Sequence, residues 1–223
     1  MHCPGRAGLL SFNGIREQKG TTMKLVAGMA LAGVLLLASG AHAAGAATAP
    51  DALVRSTVDE VLAVIKKTKD PKALVELAEK KVVTHFDFRT MTRLAMGRSW
   101  AQANSAQQQA LERAFRTLLV RTYTTALSQT TAESKVDVRP VTMKPGDTEV
   151  VVTTFASEAG RKPIQIDYRM ARTDGSWKVY DVVVENLSLV INYRGSFQSE
   201  ISRSGIDGLI RTIEEKNKKL AEG

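Results

Sequence analysis

The sequence predicts an α+β domain in which a curved antiparallel sheet of about four strands is wrapped by helices. Apolar residues recur at helical spacing from residue 51 to about residue 126 and alternate with polar residues from about residue 134 to residue 185. Helical spacing then returns. Because no internal repeat or long linker interrupts this order, we expect a single domain over residues 44–223.

The first 43 residues have the features of an export signal rather than of a folded domain. Met23-Lys24 starts a short basic segment, and the apolar stretch Leu25–Leu37 behind it is too short to span a bilayer core of ~30 Å. Ala41-His42-Ala43 then has the small residues typical of a cleavage site. We therefore expect residues 1–43 to be an upstream extension followed by a cleavable signal peptide, with an uncleaved anchor as the alternative.

Helix signals come first in the mature chain. Asp51 is expected to cap the first helix, and Asp70 followed by Pro71 has the order typical of an N-cap and the first helical position. Asp87 is expected to cap a short third helix that ends at Gly97.

The fourth helix is predicted to be the longest. Ser105 and Gln108 form a capping-box pattern at its start. The apolar stripe behind them is broad enough to cover a sheet, and it consists of Leu111, Phe115, Leu118, Leu119, Thr122, Tyr123 and Ala126. After the strands, a last helical stretch starts near Leu189 and is expected to break at Gly205.

The strands are recognised by their period of two and by the turns between them. Turn residues stand at 145–147 and at 173–175, where Asp174-Gly175 suits a tight hairpin. In the last strand the phase changes, because Asp181 falls in step with the apolar Trp177 and Val179 before Val182 and Val184 take over. A β-bulge near Asp181 would account for this change.

The residues that most enzyme mechanisms require are absent from the mature chain. Cleavage removes Cys3, the only cysteine, and leaves His85 as the only histidine. The sequence contains no H-E-x-x-H, G-x-S-x-G, P-loop or dinucleotide pattern, so we expect no metal, no cofactor and no catalytic residue. The remaining enzymatic alternative is an isomerase-like cavity with Asp167 or Asp181 as its base.

The charge does not indicate a nucleic-acid partner. The whole chain carries a net charge of +8, and loss of residues 1–43 lowers it to about +5. The basic residues are spread along the chain rather than grouped with aromatic residues in a stripe. Moderate basicity suits anionic headgroups or an acidic partner, and solvated helix faces explain each cluster equally well.

The stretch from Trp177 to Arg194, WKVYDVVVENLSLVINYR, resembles the strand-to-helix signature of the MlaC (toluene-tolerance auxiliary) family of periplasmic phospholipid-binding proteins. Asn186 stands where that family commonly has glycine, and both residues tolerate a positive φ at a tight corner. Phe86-Asp87-Phe88, Met96-Gly97 and the segment from Gly205 to Ile210 match in order and spacing, so the resemblance covers about residues 51–220.

This resemblance implies a nuclear-transport-factor-like cone joined to a helical subdomain. It also implies a monomeric periplasmic carrier with a bound phospholipid as cargo. Such a carrier shuttles lipid between an outer-membrane lipoprotein–porin complex and an inner-membrane ABC transporter complex with its substrate-binding ring, and so maintains outer-membrane lipid asymmetry. A carrier of another lipid, such as a hopanoid, and a periplasmic module with a solid core are the alternatives.

A diacyl lipid carrier must hide its cargo's chains from water. Leaving ~30 methylenes in water costs on the order of 20 kcal/mol, so the carrier needs a large apolar cavity. The lipid-binding residues that we predict are Phe115, Leu119, Tyr123, Val152, Ile166, Tyr168, Val184, Leu187, Val190 and Tyr193. A filled core would use the same residue types, and a glutamate at Val184 or Leu187 is expected to abolish carriage.

We predict that the exported protein begins at Ala44, because the signal peptidase cleaves after Ala43. Intact-mass spectrometry of the protein secreted from its own full-length gene measures this directly. A mature N-terminus upstream of residue 40 contradicts the prediction.

Overall fold

The computed structural model describes residues 48–222 except residues 69, 129–132 and 159. The predicted signal peptide and its cleavage site therefore lie outside the described residues, and the boundary at residue 43 stays a prediction. Residues 44–223 group into one compact unit. None of the described helices has a stretch that is both long and apolar enough to cross a bilayer.

The order of helices and strands follows the predicted α+β pattern. The α-helices in the described part of the chain are α1 (Pro50–Ile65), α2 (Pro71–Leu77), α3 (Phe88–Met96), α4 (Ser105–Ser128) and α5 (Arg194–Glu222). A π-helical segment and three 3-10 segments connect them, namely Ala78–Val82, Val83–His85, Gly97–Gln102 and Ile191–Tyr193. The strands are β1 (Lys135–Val138), β2 (Glu149–Ser157), β3 (Ile164–Thr173), β4 (Ser176–Val184) and β5 (Leu187–Ser188).

Two of the predicted helix caps are confirmed. The Asp70 carboxylate accepts hydrogen bonds from the backbone N–H groups of Lys72 and Ala73, at 3.3 and 3.4 Å. Asp87 accepts from the backbone N–H of Thr90 at 2.9 Å. These carboxylates satisfy N–H groups that have no partner within their own helices.

Two other helix starts were predicted too late, by two residues at α1, whose N-cap is Ala49, and by one residue at α4. Pro50 occupies the first turn of α1, so Asp51 lies inside the helix and is not the cap. Its negative charge there interacts favourably with the helix dipole. At α4 the reciprocal capping pair is Asn104 with Gln107, whose side chains and backbone N–H groups bond in both directions at 2.9 and 3.1 Å. Asn104 is as good a cap as Ser105, and the neighbouring sequence does not distinguish the two.

The sheet is a curved, unclosed antiparallel meander in the order β1-β2-β3-β4-β5. The described strands number five rather than about four because the two-residue β5 pairs with the end of β4. A two-residue turn joins these last strands, with Glu185 at φ 47° and Asn186 at φ 69°, which confirms the positive φ expected at Asn186. The predicted break at Gly205 is also confirmed, since its φ of 70° kinks α5.

The predicted bulge lies in β4 next to Asp181. Arg169 pairs with Asp181 and Met170 pairs with Val179, which leaves Tyr180 as the extra residue. Val179 and Val182 consequently point to the same face of the sheet, whereas Asp181 points to the opposite one.

Asp181 is fully buried on that opposite face and is held by two side chains. Ser188 donates to its carboxylate at 2.8 Å, and the guanidinium of Arg169 lies at 3.3 Å. Ser188 also accepts the backbone N–H of Ile191 at 2.9 Å. Asp181 therefore positions the segment through which the chain leaves the sheet and enters the last helix.

The protein has two apolar cores. One lies among α3, α4 and α5, and the other lies between α1 and the sheet. The helices and the sheet are connected where the backbone N–H of Asp87 donates to the carbonyl of Val179 at 2.9 Å, directly beside the bulge.

We predict that Asp181→Ala lowers the free energy of unfolding by about 2–3 kcal/mol, because the partly buried hydroxyl of Ser188 loses its charged acceptor and the contact between the buried carboxylate and the partly exposed Arg169 is lost. Urea denaturation of the mature protein measures the change. Asp137→Ala is the matched control, since Asp137 pairs with Arg139 at 3.3 Å between two side chains that are both mainly exposed, and its loss should cost about 0.5 kcal/mol or less. Equal losses for the two variants contradict the structural role of Asp181.

Candidate functional site

An apolar cavity of about 600 Å³ lies between α1, the concave face of the sheet and the α4 layer. Its volume is in the middle of the ~300–1,000 Å³ range typical of ligand sites, rather than near the upper end that a diacyl cargo led us to expect. The strands contribute the residues of one face, and the helices contribute the inward face of α1, the segment from Ala78 to Phe88 and part of α4.

The cavity extends along the inner face of β3, where Ile164, Ile166, Tyr168 and Met170 all line it. Exposure falls along the inner face of this strand, from 41% at Ile164 through the half-buried Ile166 and Tyr168 to 0% at Met170. The seven residues from Ile164 to Met170 span ~20 Å. The cavity therefore has an open mouth near Ile164 and a closed floor near Met170.

Five of the ten predicted lipid-binding residues lie on the cavity wall. They are Leu119, Tyr123, Ile166, Tyr168 and Val184, from α4, β3 and β4. The sequence periodicity placed them on inward faces, and the bulge in β4 brings Val184 to the same side as Val179. Whether they contact lipid stays a prediction.

Three aromatic and aliphatic residues of the predicted set instead fill the helical core. The ring of Phe115 packs edge-on against Tyr193 and Phe197, with centroids 5.1 and 5.3 Å apart. Val190 is fully buried in the same cluster. The placement of Phe115, Tyr193 and Val190 on the wall was therefore wrong, because α5 covers that side of α4.

Val152 and Leu187 also lie off the wall. Val152 points to the concave face but is fully buried in the core between α1 and the sheet. Leu187 is 54% exposed on β5, opposite Val184 in the strand register. The two residues of this pair thus have different environments, and a glutamate at Leu187 is no longer expected to disturb the cavity.

The largest helical contribution to the wall was not predicted. Its source is α1, whose lining residues are Leu53, Val54, Thr57, Val58, Val61, Leu62 and Ile65. The helical spacing of these residues is evident in the sequence, but it indicates only an inward face. Which inward faces meet a cavity depends on how the layers are spaced.

Two tyrosines and a histidine on the wall are held in their neutral forms. Burial, followed by the charge and hydrogen bond of Tyr193, raises the pKa of Tyr123 to about 12. Burial also raises the pKa of Tyr168, and burial together with the nearby ammonium of Lys178 lowers the pKa of His85. Near neutral pH these three residues therefore add no charge to the cavity wall.

The carboxylates that could serve an isomerase-like enzyme do not face the cavity. Asp167 is on the outer face of the sheet, where Thr153 donates to it at 2.7 Å, and Asp181 is buried on the same outer side. Among the described residues, no three or more His, Cys, Asp or Glu side chains converge as ligands for a metal ion.

Arg194, which follows Tyr193 in the strand-to-helix signature, has a structural contact. Its Nε and one terminal nitrogen donate to the carbonyl of Leu94 at 3.0 and 2.6 Å, in the last turn of α3. This guanidinium satisfies a carbonyl at the helix C-terminus and ties α5 to α3.

Two comparisons with known proteins bear on this site. The family model described as MlaC protein matches residues 55–215. A solved structure of the phospholipid-binding protein from Ralstonia solanacearum, in complex with a phospholipid, is 36% identical to this chain with a TM-score of 0.69. The match covers 77% of this chain and 98% of that one.

We predict that truncating valine costs more stability in the core than on the cavity wall. Val152→Ala should lower the free energy of unfolding of the lipid-free protein by about 2 kcal/mol, because it opens a new void. Val184→Ala should cost about 1 kcal/mol or less, because its methyl groups already face open space. Urea denaturation of the two delipidated variants measures both values, and equal losses contradict an open cavity at Val184.

Proposed function

The chain belongs to the MlaC family, and on this premise we propose that it is a phospholipid carrier and not an enzyme. The observation that carries the proposal is the elongated apolar cavity, closed at Met170 and open near Ile164. A site of this form can hold acyl chains while leaving a headgroup at the mouth. The phospholipid in the related Ralstonia protein supports the same class of cargo.

The chemistry of the wall suits acyl chains. Transfer of methylenes from water to such a wall is worth about 0.8 kcal/mol each, so affinity can come from the chains with few polar contacts. An uncharged wall is required, since an unpaired charge among the chains is strongly unfavourable. The raised pKa values of Tyr123 and Tyr168 and the lowered pKa of His85 keep these three side chains neutral, which meets this requirement.

We further propose that the carrier works in the periplasm. The signal-peptide pattern that ends at Ala43 supports export, and family membership supports a shuttle between the two membranes. In this proposal the partners are the outer-membrane lipoprotein–porin complex and the inner-membrane ABC transporter complex. The result of the shuttle is the maintenance of outer-membrane lipid asymmetry.

The carrier is tested by the lipid content of matched variants. Mature protein purified from a Gram-negative host is extracted with organic solvent, and the extract is analysed by mass spectrometry. We expect about one phospholipid or more per chain for the wild type and almost none for Val184→Glu, whose carboxylate enters the cavity. Leu187→Glu is the control, because Leu187 pairs with Val184 in the strand register but is 54% exposed and is not among the residues that line the cavity.

Circular dichroism and urea denaturation establish that each variant is folded before its lipid is counted. A folded wild type that yields no phospholipid refutes the carrier, and a ring lipid in its place would indicate a hopanoid cargo. Wild-type phospholipid content in folded Val184→Glu would place the cargo elsewhere on the molecule.

A further inference from the structure

Among the described residues, the charged side chains that line the cavity lie near the exposed end of β3. Glu158, Arg161 and Lys162, with Ser157 before them, belong to the end of β2 and the connection to β3. Ile164, the most exposed wall residue of β3, follows directly. The charged group therefore surrounds the mouth, at the opposite end from Met170.

The three charges at the mouth do not cancel. A terminal nitrogen of Arg161 lies 2.9 Å from the Glu158 carboxylate, so these two charges compensate each other. Lys162 is exposed and forms no ion pair with any other residue that the structure describes. The mouth consequently carries one uncompensated positive charge, together with the guanidinium N–H groups that the Glu158 contact leaves available.

We propose that this mouth is a headgroup site which binds the lipid phosphate through Arg161 and Lys162 and favours headgroups of net negative charge over zwitterionic ones. The inference rests on the carrier function proposed above. Acyl chains that run along β3 towards Met170 leave the phosphodiester beside the β2–β3 connection. Lysine and arginine are both good donors to phosphate oxygens.

The preference for anionic headgroups follows from the charge of the mouth. A zwitterionic headgroup brings an ammonium whose natural partner, Glu158, is already paired with Arg161. An anionic headgroup of the phosphatidylglycerol type brings no positive charge that Lys162 would repel. One exposed charge contact in water changes an affinity roughly two- to fivefold, which is the size of preference expected here.

The experiment loads delipidated mature protein from vesicles of equal phosphatidylglycerol and phosphatidylethanolamine with identical acyl chains. The protein is separated from the vesicles, and the ratio of the two bound lipids is measured by mass spectrometry. The wild type should be enriched in phosphatidylglycerol roughly two- to fivefold, and the enrichment should fall as salt shortens the Debye length from ~30 Å at 0.01 M to ~3 Å at 1 M. Arg161→Gln with Lys162→Gln should return the ratio to that of the vesicles.

Two further variants serve as controls for the position and for the charge of the substituted residues. Lys216→Gln with Lys219→Gln removes the same charge from exposed positions on α5 and should keep the wild-type ratio. Lys162→Arg keeps the charge at the mouth and should keep the enrichment.

Enrichment that persists in the double mouth variant, or that is lost equally in the α5 variant, overturns the proposal. A wild type that binds both lipids in the vesicle ratio also overturns it but leaves the carrier intact, whereas a wild type that takes up neither lipid counts against the carrier itself. Titration of lipid-free protein with inorganic phosphate distinguishes a free-phosphate site. Measurable phosphate binding that the mouth substitutions abolish, with an unchanged lipid ratio, would assign these residues to free phosphate and overturn the headgroup site.

Discussion

An apolar cavity of about 600 Å³ remains open in this protein because two filled cores support its walls. Protein interiors normally collapse to close packing, since atoms that line a void lose dispersion contacts. Here Phe115 and its aromatic neighbours fill the helical core, while Val152 and Met170 belong to the core between α1 and the sheet. These two cores hold the helices and the sheet in place around the cavity.

The bulge in β4 connects this arrangement to the rest of the chain. Without the extra residue Tyr180, a strict period of two would point Asp181 into the cavity and Val182 and Val184 away from it. With it, the aspartate meets Ser188 and Arg169 on the outer side, and valines line the inside. The same few residues therefore determine the chemistry of the wall and the direction in which the chain leaves the sheet.

Local signals in the sequence predicted the fold better than they predicted the site. The caps at Asp70 and Asp87, the corner at Asn186 and the phase change at Asp181 each involve neighbours within a few residues, so their physics is present in the sequence. The capping of α4 by Asn104 rather than Ser105 shows the limit of such local prediction, because both adjacent residues are suitable N-caps.

The wall required information that no local pattern contains. Phe115 and Leu119 lie on one stripe of α4, yet α5 covers the first and the cavity meets the second. Val184 and Leu187 are cross-strand partners in one hairpin, yet Val184 lines the cavity and Leu187, on the last strand of the sheet, is mainly exposed. Periodicity identifies a buried face, whereas the spacing between layers decides which part of that face is filled and which part is left open.

The position of helix α1 on the cavity wall affects the stability of the empty protein. Seven of its residues line the cavity, and only part of this inner surface is buried against protein atoms, as at Val54 and Ile65. An apolar occupant would act as the part of the core that the polypeptide does not supply. A ligand that binds only the native state stabilises it. Occupation of the cavity would therefore strengthen the packing of α1 against the rest of the protein. Release of that occupant would return the protein to its less stable form, so that each cycle of loading and release would also tighten and loosen the packing of the first helix.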